Sequence, residues 1–363
     1  MRAHWYAESY RVKGRMQDSH KPEPSTKFLY LEGLRGALAV VVCLGHYGVN
    51  TVLRPYGLLV NFGLAVDVFF VMSGFVLSYA YFFSNRSWAE FIVGRFARLY
   101  PLHLITLIFA CVVARSWQVE NIGAVFVQNL FLVQNIGLIP HDPGPNYPNW
   151  SISVELWVAI FYFLGMRVAR KLIPLFFLFV MVPVVLLLTD FPNSYHYNYF
   201  YFVNGGVLRG LIGFAVGVGS FLLYRQVRGH NVAPWACTAL LVPFVLLFFA
   251  DKSNASNLLF LYAGSFVLMI ALALRRVSHG WFANLLAFSG AISYSIYLLH
   301  VPLYLLMERM LGEPHVPGAA AIWSLPILLV VAPVSAYLFE RPIQNWLLSF
   351  VRRKLPFRED SRA

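Results

Sequence analysis

The chain has 363 residues, of which 59% are hydrophobic and only 12% are charged, and its formal net charge is +12. Soluble domains carry about twice that charged fraction, and the apolar residues here form long blocks. Blocks of about 17–25 apolar residues are typical of membrane-spanning helices and exclude a soluble globular domain. We therefore predict an all-α, polytopic protein of the lipid bilayer. Its positive charge needs no nucleic-acid partner, because cytoplasmic loops of such proteins are rich in Lys and Arg.

Residues 1–27 are polar and lack the apolar core of a signal peptide, which predicts a cytosolic tail. A membrane domain with about ten spans is predicted over residues 28–347. The candidate spans are residues 34–51, 58–82, 100–115, 151–166, 172–188, 206–224, 234–250, 258–274, 284–305 and 321–340. The basic residues 348–363 are predicted to form a second cytosolic tail that lies on anionic headgroups.

One more apolar segment, residues 121–139, differs from the spans because it contains five carboxamide side chains. We predict that it is interfacial or re-entrant, since polar side chains inside lipid are costly. The three cysteines lie in apolar blocks at positions 43, 111 and 237, without the spacing of metal ligands. Neither a disulfide nor a metal site is therefore expected.

The distribution of Lys and Arg predicts the orientation of the chain. With ten spans and the N-terminus inside, 23 of the 28 Lys and Arg residues fall on the inner side. Such an excess marks the cytoplasmic side of membrane proteins. Both termini are therefore predicted to be cytoplasmic.

Arg35 and His46 lie eleven positions apart on the first predicted span. Eleven residues make almost three helical turns, so both side chains share one face, about 16 Å apart along the axis. Arg35 then lies at the inner boundary and His46 in the outer half of the membrane. A histidine at that depth should face the protein interior, as a functional group or as a packing residue.

Three other ionisable residues are predicted to lie near the depth of His46. They are Asp67, Glu155 and His300, each inside an apolar span. Ionisable residues inside a membrane indicate a functional site, and a carboxylate can fix the tautomer of an imidazole and raise its basicity. We predict that one of the two acids pairs with a histidine, although the sequence leaves open which.

Arg95 and Arg98 are three residues apart, and so lie next to each other on one helical face at the inner boundary. With Arg35 they offer three guanidinium forks, which suit phosphate groups. Each arginine alone is more typical of anchoring at the cytoplasmic surface. An inner phosphate clamp joined by one helix face to a deeper histidine favours a ligand with a phosphorylated head and a long arm, such as acyl-coenzyme A.

Six segments, spread from Leu31 to Trp346, together resemble the acyltransferase-3 family of integral membrane O-acyltransferases. The segments are YLEGLRGALAVVVCLGH, GLAVDVFFVMSGFVLS, FIVGRFARLYPLH, NWSISVELWVAIFY, AISYSIYLLHVPL and FERPIQNW. The resemblance does not include the C-terminal SGNH domain that many members carry, which leaves acceptor selection to the membrane domain.

The resemblance implies transfer of an acyl group, most often acetyl, from cytosolic acyl-CoA to a hydroxyl. Acceptors in the family are usually sugars of lipopolysaccharide, capsule or exopolysaccharide, and some members acylate macrolides. A bacterial inner-membrane location follows from the same resemblance. The acceptor, the acyl chain and the oligomeric state stay open.

The family motifs fall on particular residues of this chain. The Arg-x10-His motif falls on Arg35 and His46, and the Arg-x-x-Arg motif falls on Arg95 and Arg98. The Phe-Phe-x-x-Ser-Gly motif falls on Phe69, Phe70, Ser73 and Gly74. The Trp-Ser-Leu-Ser-x-Glu motif falls on Trp150, Ser151, Ser153 and Glu155. Ile152 replaces the common leucine of the last motif. Leu156 stands where a second acid often follows, so only Glu155 can serve there.

These observations give each candidate residue a hypothetical role. His46 is the general base or a transient acyl carrier, with Asp67 or Glu155 as its acidic partner. The donor is bound by Arg35, Arg95, Arg98 and Ser73. Candidates for acceptor contact or oxyanion stabilisation are Trp150, Ser153, Tyr294, His300 and Arg209. The alternative from another class is a proton-coupled transporter, since membrane-embedded acids and histidines also form proton relays.

Overall fold

The structure is a computed structural model. It describes residues 28–58, 60–82, 87–113, 122–136, 144–168, 198–199, 203–249, 255–275, 277, 280–312 and 319–354. The predicted N-terminal tail and the last nine residues of the predicted C-terminal tail lie outside this part of the chain.

The described residues are almost entirely helical. The α-helices are α1 Leu29–His46, α2 Val49–Leu53, α3 Leu64–Tyr81, α4 Trp88–Val113, α5 Ile122–Leu130, α6 Trp150–Val168, α7 Gly205–Val227, α8 Pro234–Leu246, α9 Ala255–Leu274, α10 Trp281–Leu311, α11 Ala319–Ser335 and α12 Arg341–Lys354. Short 3₁₀ turns occur at Arg54–Tyr56, Tyr147–Asn149 and Leu247–Phe249. Two antiparallel strands of two residues each, β1 Asn198–Tyr199 and β2 Val203–Asn204, precede α7 and pair Asn198 with Asn204.

Within the described residues, seven helices are long and apolar enough to cross a membrane. They are Leu29–His46, Leu64–Tyr81, Trp88–Val113, Gly205–Val227, Asn257–Leu274, Trp281–Leu311 and Ala320–Val351. The prediction of an all-α polytopic membrane protein is confirmed. The number of spans, the orientation and the side on which each terminus lies stay predictions.

The other candidate spans agree with the helices of the structure to different degrees. The predicted span 151–166 is helix α6, and the predicted span 234–250 is the shorter apolar helix Pro234–Phe249. Residues 172–188 lie outside the described part of the chain. The carboxamide-containing segment 121–139 contains α5, whose nine residues extend about 14 Å and are too short to cross the bilayer. That length agrees with the interfacial or re-entrant interpretation.

The predicted start of the third span, residue 100, is wrong by about three helical turns. Helix α4 begins at Trp88 and continues through Pro101. Ser87 and Glu90 form a reciprocal capping box in which each side chain accepts a hydrogen bond from the other's backbone N–H. Arg95 and Arg98 consequently lie within a helix, on neighbouring positions of one face as predicted.

The second and last predicted spans also have displaced boundaries. Helix α3 starts at Leu64 instead of residue 58, because the preceding loop is tied down by Asn50, whose carboxamide forms two hydrogen bonds with the backbone of Val60. The last span does not end at residue 340. A π-helical segment, Ala336–Glu340, leads directly into α12, so the predicted tail boundary at residue 348 falls inside a helix.

Glycines allow α3 and α7 to approach each other at backbone distance. A Cβ atom on Gly74 would meet the backbone oxygen of Phe214, and one on Gly217 would meet the backbone oxygen of Val71. Close backbone approach through small residues is the usual way in which membrane helices pack, since lipid gives no hydrophobic drive for association. Gly74 of the Phe-Phe-x-x-Ser-Gly motif thus has a packing role, whereas its neighbour Ser73 lines a cavity.

Candidate active site

A cavity of about 310 Å³ brings together residues from five helices. Arg35 of α1, Ser73 of α3, Arg95 and Arg98 of α4, and Glu155 of α6 all line it. The three arginines that the sequence suggests as a clamp therefore line one cavity, although Arg35 lies 60 positions before Arg95 in the chain. The amphipathic helix α12 closes another side of this cavity with two of its side chains, those of Gln344 and Leu348.

A second, smaller cavity of about 80 Å³ shares Arg35, Ser73, Arg98 and Glu155 with the first. Its other end is aromatic and includes Tyr297 of α10. Because four residues line both spaces, the cavities adjoin at a neck formed by these side chains. The two cavities thus describe a route from the arginines towards the middle of the bundle.

Two of the arginines are held by carboxylates. Glu155 accepts a hydrogen bond from Arg95 at 2.7 Å and one from Ser73 at 2.9 Å, and Glu32 pairs with Arg35 at 3.1 Å. The Nε atom of Arg95 is buried without a hydrogen-bond partner among the described residues. The guanidinium of Arg98 is exposed and has no ion pair within the same part of the chain. These two groups remain available to an anion.

The prediction that Glu155 lies at the depth of His46 is wrong. Ser151, one turn before Glu155, contacts Tyr297, which itself lies one turn before His300. Glu155 is therefore about 10 Å further along the bundle than the histidine, on the side of the arginines. The reason is that α6 does not begin at the membrane surface, since the buried residues Asn146 and Asn149 precede it and carry its start into the protein.

His46 and His300 form a direct pair. The Nδ1 atom of His46 lies 2.8 Å from the Nε2 atom of His300, and the rings are almost parallel, with an interplanar angle of 14°. His300 is fully buried, whereas His46 is half-buried. The rings of Phe62 and Tyr147 approach His46 edge-on, each at 5.0 Å.

Neither predicted acid is the partner of His46. Both carboxylates pair with arginines, Glu155 with Arg95 and Asp67 with Arg209. A guanidinium matches a carboxylate with two parallel hydrogen bonds, which gives it an advantage over an imidazole in a dry site. The predicted acid–histidine pairing is wrong, and a second histidine occupies that place.

Asp67 and Arg209 form a fully buried ion pair between α3 and α7. Arg209 donates to both carboxylate oxygens, at 2.9 and 2.6 Å, and also to the backbone oxygen of Gly63. Tyr262 of α9 donates a third hydrogen bond to Asp67 at 2.9 Å. The guanidinium also lies over the ring of Trp150, 5.4 Å from its centroid. Arg209, a candidate for acceptor contact in the sequence analysis, is thus paired with a buried acid.

This geometry predicts that Asp67 stabilises the fold instead of acting in catalysis. Replacing Asp67 alone by leucine leaves Arg209 buried without its counter-ion, which typically costs about 3–5 kcal/mol. The double variant Asp67→Leu with Arg209→Met removes both charges and is expected to unfold at a higher temperature than the single variant. Thermal unfolding in detergent measures this. A single variant of wild-type stability that has lost activity would contradict the structural role.

Tyr297 separates the smaller cavity from the histidine pair. Its hydroxyl lies 2.6 Å from the Ser151 hydroxyl and donates to the backbone oxygen of Pro148 at 3.1 Å. Its ring lies 5.9 Å from that of His300. The smaller cavity therefore ends at an aromatic side chain that packs against His300.

A family model described as an acyltransferase domain matches residues 28–341. The chain belongs to the acyltransferase-3 family. No solved structure matches it.

The curated relatives match this chain over different fractions of its length and of their own length. "Acyltransferase MdmB" of Streptomyces mycarofaciens is 37% identical over 117 residues, which are 30% of each chain. The "Putative peptidoglycan O-acetyltransferase YrhL" of Bacillus subtilis (strain 168) is 24% identical over 92% of this chain and 58% of its own length. The "Putative membrane-bound transacylase BcsY" of Komagataeibacter xylinus is 25% identical over 88% of this chain and 83% of its own.

The residues of the Trp-Ser-Leu-Ser-x-Glu motif, which is characteristic of the acyltransferase-3 family, make different contacts in this structure. Ser153, an oxyanion candidate, donates instead to the backbone oxygen of Leu132 at 2.6 Å, as does Trp157 at 2.9 Å. Leu132 has a positive φ of 54°, which is unusual for a leucine. These two hydrogen bonds hold that turn beside α5. Ser153 is fully buried and is not among the residues that line either cavity.

Two other candidates for oxyanion or substrate contact, Tyr294 and Trp150, make contacts within the protein. The Tyr294 hydroxyl donates to the backbone oxygen of Leu99 at 2.6 Å, although its ring lines the smaller cavity. Trp150 packs edge-on against Phe70, at 6.2 Å, and under Arg209. Neither directs a free hydrogen-bond donor at the route between the arginines and the histidines.

Sequence reasoning misses Tyr297 and its link to Ser151. Tyr297 lies three residues before His300, so both fall near one face of α10, and this spacing is the signal that could have identified it. It also misses His103, which is buried and bonded to the backbone oxygen of Asn129 and the side chain of Asn149. His103 lies outside the lining of both cavities, so it serves as a structural comparison for His46 and His300.

Proposed function

We propose that this chain transfers an acyl group, in the first place acetyl, from cytosolic acyl-CoA to a hydroxyl of a cell-surface or exported polysaccharide or glycolipid. The observation that carries the proposal is a three-arginine cavity with an adjoining smaller cavity that extends to Tyr297, whose ring packs against the buried histidine pair. Membership of a family of acyltransferases supports the reaction class.

The donor side is the arginine cavity. The phosphates of acyl-CoA would lie against Arg98, Arg95 and Arg35, because guanidinium groups bind phosphate through paired hydrogen bonds. Arg98 is exposed and the Nε donor of Arg95 has no partner among the described residues. A phosphate would use these donors while the pair of Glu155 with Arg95 keeps the clamp in place.

The donor's long arm accounts for the distance between clamp and histidine. Arg35 and His46 are eleven residues apart on one helix, or about 16 Å. The smaller cavity begins at the arginines and continues along α10 to Tyr297. An extended pantetheine arm follows this direction, which brings its thioester towards His46 while the nucleotide stays at the cytosolic end.

At His46 the reaction is the exchange of a thioester for an ester. As the acceptor oxygen bonds to the carbonyl carbon, its proton passes to the imidazole of His46, the C–S bond breaks, and the proton finally neutralises the CoA thiolate. The products are one ester and one CoA thiol. The alternative is a two-step mechanism. The acyl group first passes from CoA to His46 as an acyl-imidazole, and the acceptor hydroxyl attacks this intermediate in the second step.

The acceptor side lies opposite the arginines. Tyr147, in the 3₁₀ turn before α6, packs edge-on against His46 at 5.0 Å. A hydroxyl that approaches from this side reaches His46 without crossing the donor cavity. The name of the Bacillus relative specifies peptidoglycan as its acceptor, which favours an envelope glycan here. A bacterial inner-membrane location, with the arginines facing the cytosol, fits the predicted orientation.

The acceptor class is tested with inverted membrane vesicles, in which the cytosolic face meets added [¹⁴C]acetyl-CoA. Wild type should place base-labile label in the polysaccharide or glycolipid fraction, and vesicles with the His46→Ala variant should not. Label only in a small extractable product would replace the glycan acceptor by a lipophilic one, such as a macrolide. Intact acetyl-CoA that accumulates inside the vesicles would overturn the enzyme and favour transport.

A further inference from the structure

The hydrogen bonds around the histidine pair determine where its protons lie. The Nδ1 atom of His300 is 3.2 Å from the backbone oxygen of Ile296, an acceptor only, so this nitrogen carries a proton. In a neutral imidazole the other nitrogen, Nε2, is then an acceptor. His46 must donate to it from Nδ1 across the 2.8 Å contact. The pattern therefore assigns a bare Nε2 lone pair to His46.

We infer that His300 is a positioning residue that holds His46 in the tautomer with Nε2 free to act on the substrate. This inference rests on the proposed function, because it assigns a task within that same reaction. In Ser-His-Asp enzymes a buried aspartate fixes the tautomer of the catalytic histidine by accepting from its Nδ1–H. Here the acceptor is a second, neutral imidazole.

The surroundings of His300 keep that imidazole in one orientation. Its side chain is fully buried and its Nδ1–H is committed to its own helix. The Tyr47 hydroxyl donates to the His300 backbone oxygen at 2.9 Å, and the Tyr297 ring packs against the imidazole. His300 thus has both ring nitrogens and its backbone oxygen in hydrogen bonds, so rotation of the ring would break the pair with His46.

A difference in exposure assigns the two histidines different tasks. His46 is half-buried and completes the face that begins with Arg35, whereas His300 is fully enclosed. A group that meets the acceptor has to be reachable, and only His46 is. His300 consequently acts through His46, and its earlier role as a substrate or oxyanion candidate is replaced.

A neutral imidazole as the partner of His46 avoids the cost of burying a charge. A buried carboxylate beside His46 would need a counter-ion, because an isolated charge in a dry interior is costly. Two neutral imidazoles give the same direction of hydrogen bond without that cost. Both predicted acids, Asp67 and Glu155, are paired with arginines elsewhere, so neither supplies a carboxylate to the histidine pair.

The test compares His300→Gln with His300→Phe in nanodiscs, beside His103→Gln as a matched change of another buried histidine. A glutamine oxygen can accept from Nδ1–H of His46, whereas phenylalanine keeps the ring volume without an acceptor. We expect His300→Phe to lower kcat by about 10–100-fold with KM for acetyl-CoA unchanged, as expected for a misoriented catalytic group. His300→Gln should recover most of that loss, and His103→Gln should leave kcat near wild type.

¹⁵N NMR of histidine-labelled protein reads the tautomer without any turnover. His46 should show a protonated Nδ1 and a bare Nε2 in wild type and His300→Gln, and a mixture of tautomers in His300→Phe. Unchanged kcat and an unchanged His46 tautomer in His300→Phe would overturn the inference. If wild type transfers no acyl group, the proposed function fails, whereas the NMR result still decides whether His300 sets the tautomer.

Discussion

Replacing His46 by alanine is expected to lower acyl transfer by about 10²–10⁴-fold, the range over which positioned general bases act. His46 is the accessible member of the histidine pair and lies on the helix face that begins at the arginine cavity. The measurement is the rate of acceptor-dependent CoA release by purified protein in nanodiscs, with acetyl-CoA saturating.

Controls on the His46→Ala variant have to show that acetyl-CoA still binds and that only the chemical step is lost. The affinity for acetyl-CoA should stay within about twofold of wild type, because the proposed phosphate ligand on the same helix, Arg35, lies about 16 Å away. His46→Gln should be as inactive as His46→Ala, since a carboxamide is not basic. Full transfer by either variant would remove His46 from the mechanism, whatever happens to stability.

Removing the guanidinium of Arg98 is expected to weaken acetyl-CoA binding by about 10–100-fold. A hydrogen bond to a charged group contributes about 1.5–3 kcal/mol, and Arg98 lines both cavities without an ion pair in the described part of the chain. Arg98→Lys should recover part of the loss, because lysine keeps the charge but not the fork. The effect should appear in Kd and KM, with kcat nearly unchanged.

Two controls separate phosphate recognition from ordinary anchoring at the membrane surface. Arg228→Ala removes another exposed arginine of the predicted inner side, away from both cavities, and should leave the Kd unchanged. S-acetylpantetheine lacks the nucleotide phosphates, so its binding should be equal in wild type and Arg98→Ala. If Arg98→Ala weakens both ligands equally, or neither, the arginine cavity does not bind the phosphates.

Local patterns in the sequence are sufficient to predict much of this fold. Long apolar blocks predict the spans, and the spacing of Arg95 and Arg98 places both on one helical face, as the structure confirms. The boundaries fail where local rules compete. The third span is predicted to begin at residue 100, but the capping box of Ser87 and Glu90 begins the helix earlier, and Pro101 is accommodated within it.

Partner choice is the part that the sequence leaves undetermined. Asp67 and Arg209 are 142 positions apart, and nothing in either segment specifies that they meet as a buried ion pair. The depth of Glu155 fails for a related reason, because counting from the end of a span assumes that the span starts at the membrane surface. The buried segment before Trp150 breaks that assumption. Contacts of this kind depend on how all the helices pack together.

The most direct measurement follows both products of the proposed transfer in one sample. Purified protein in nanodiscs receives [¹⁴C]acetyl-CoA and solubilised envelope glycans, and released CoA thiol and base-labile acetyl ester are counted together. The account predicts equal amounts of the two products with wild type and neither with His46→Ala. Thiol and ester formation that His46→Ala leaves unchanged, or no ester with wild type on any glycan offered, would contradict it.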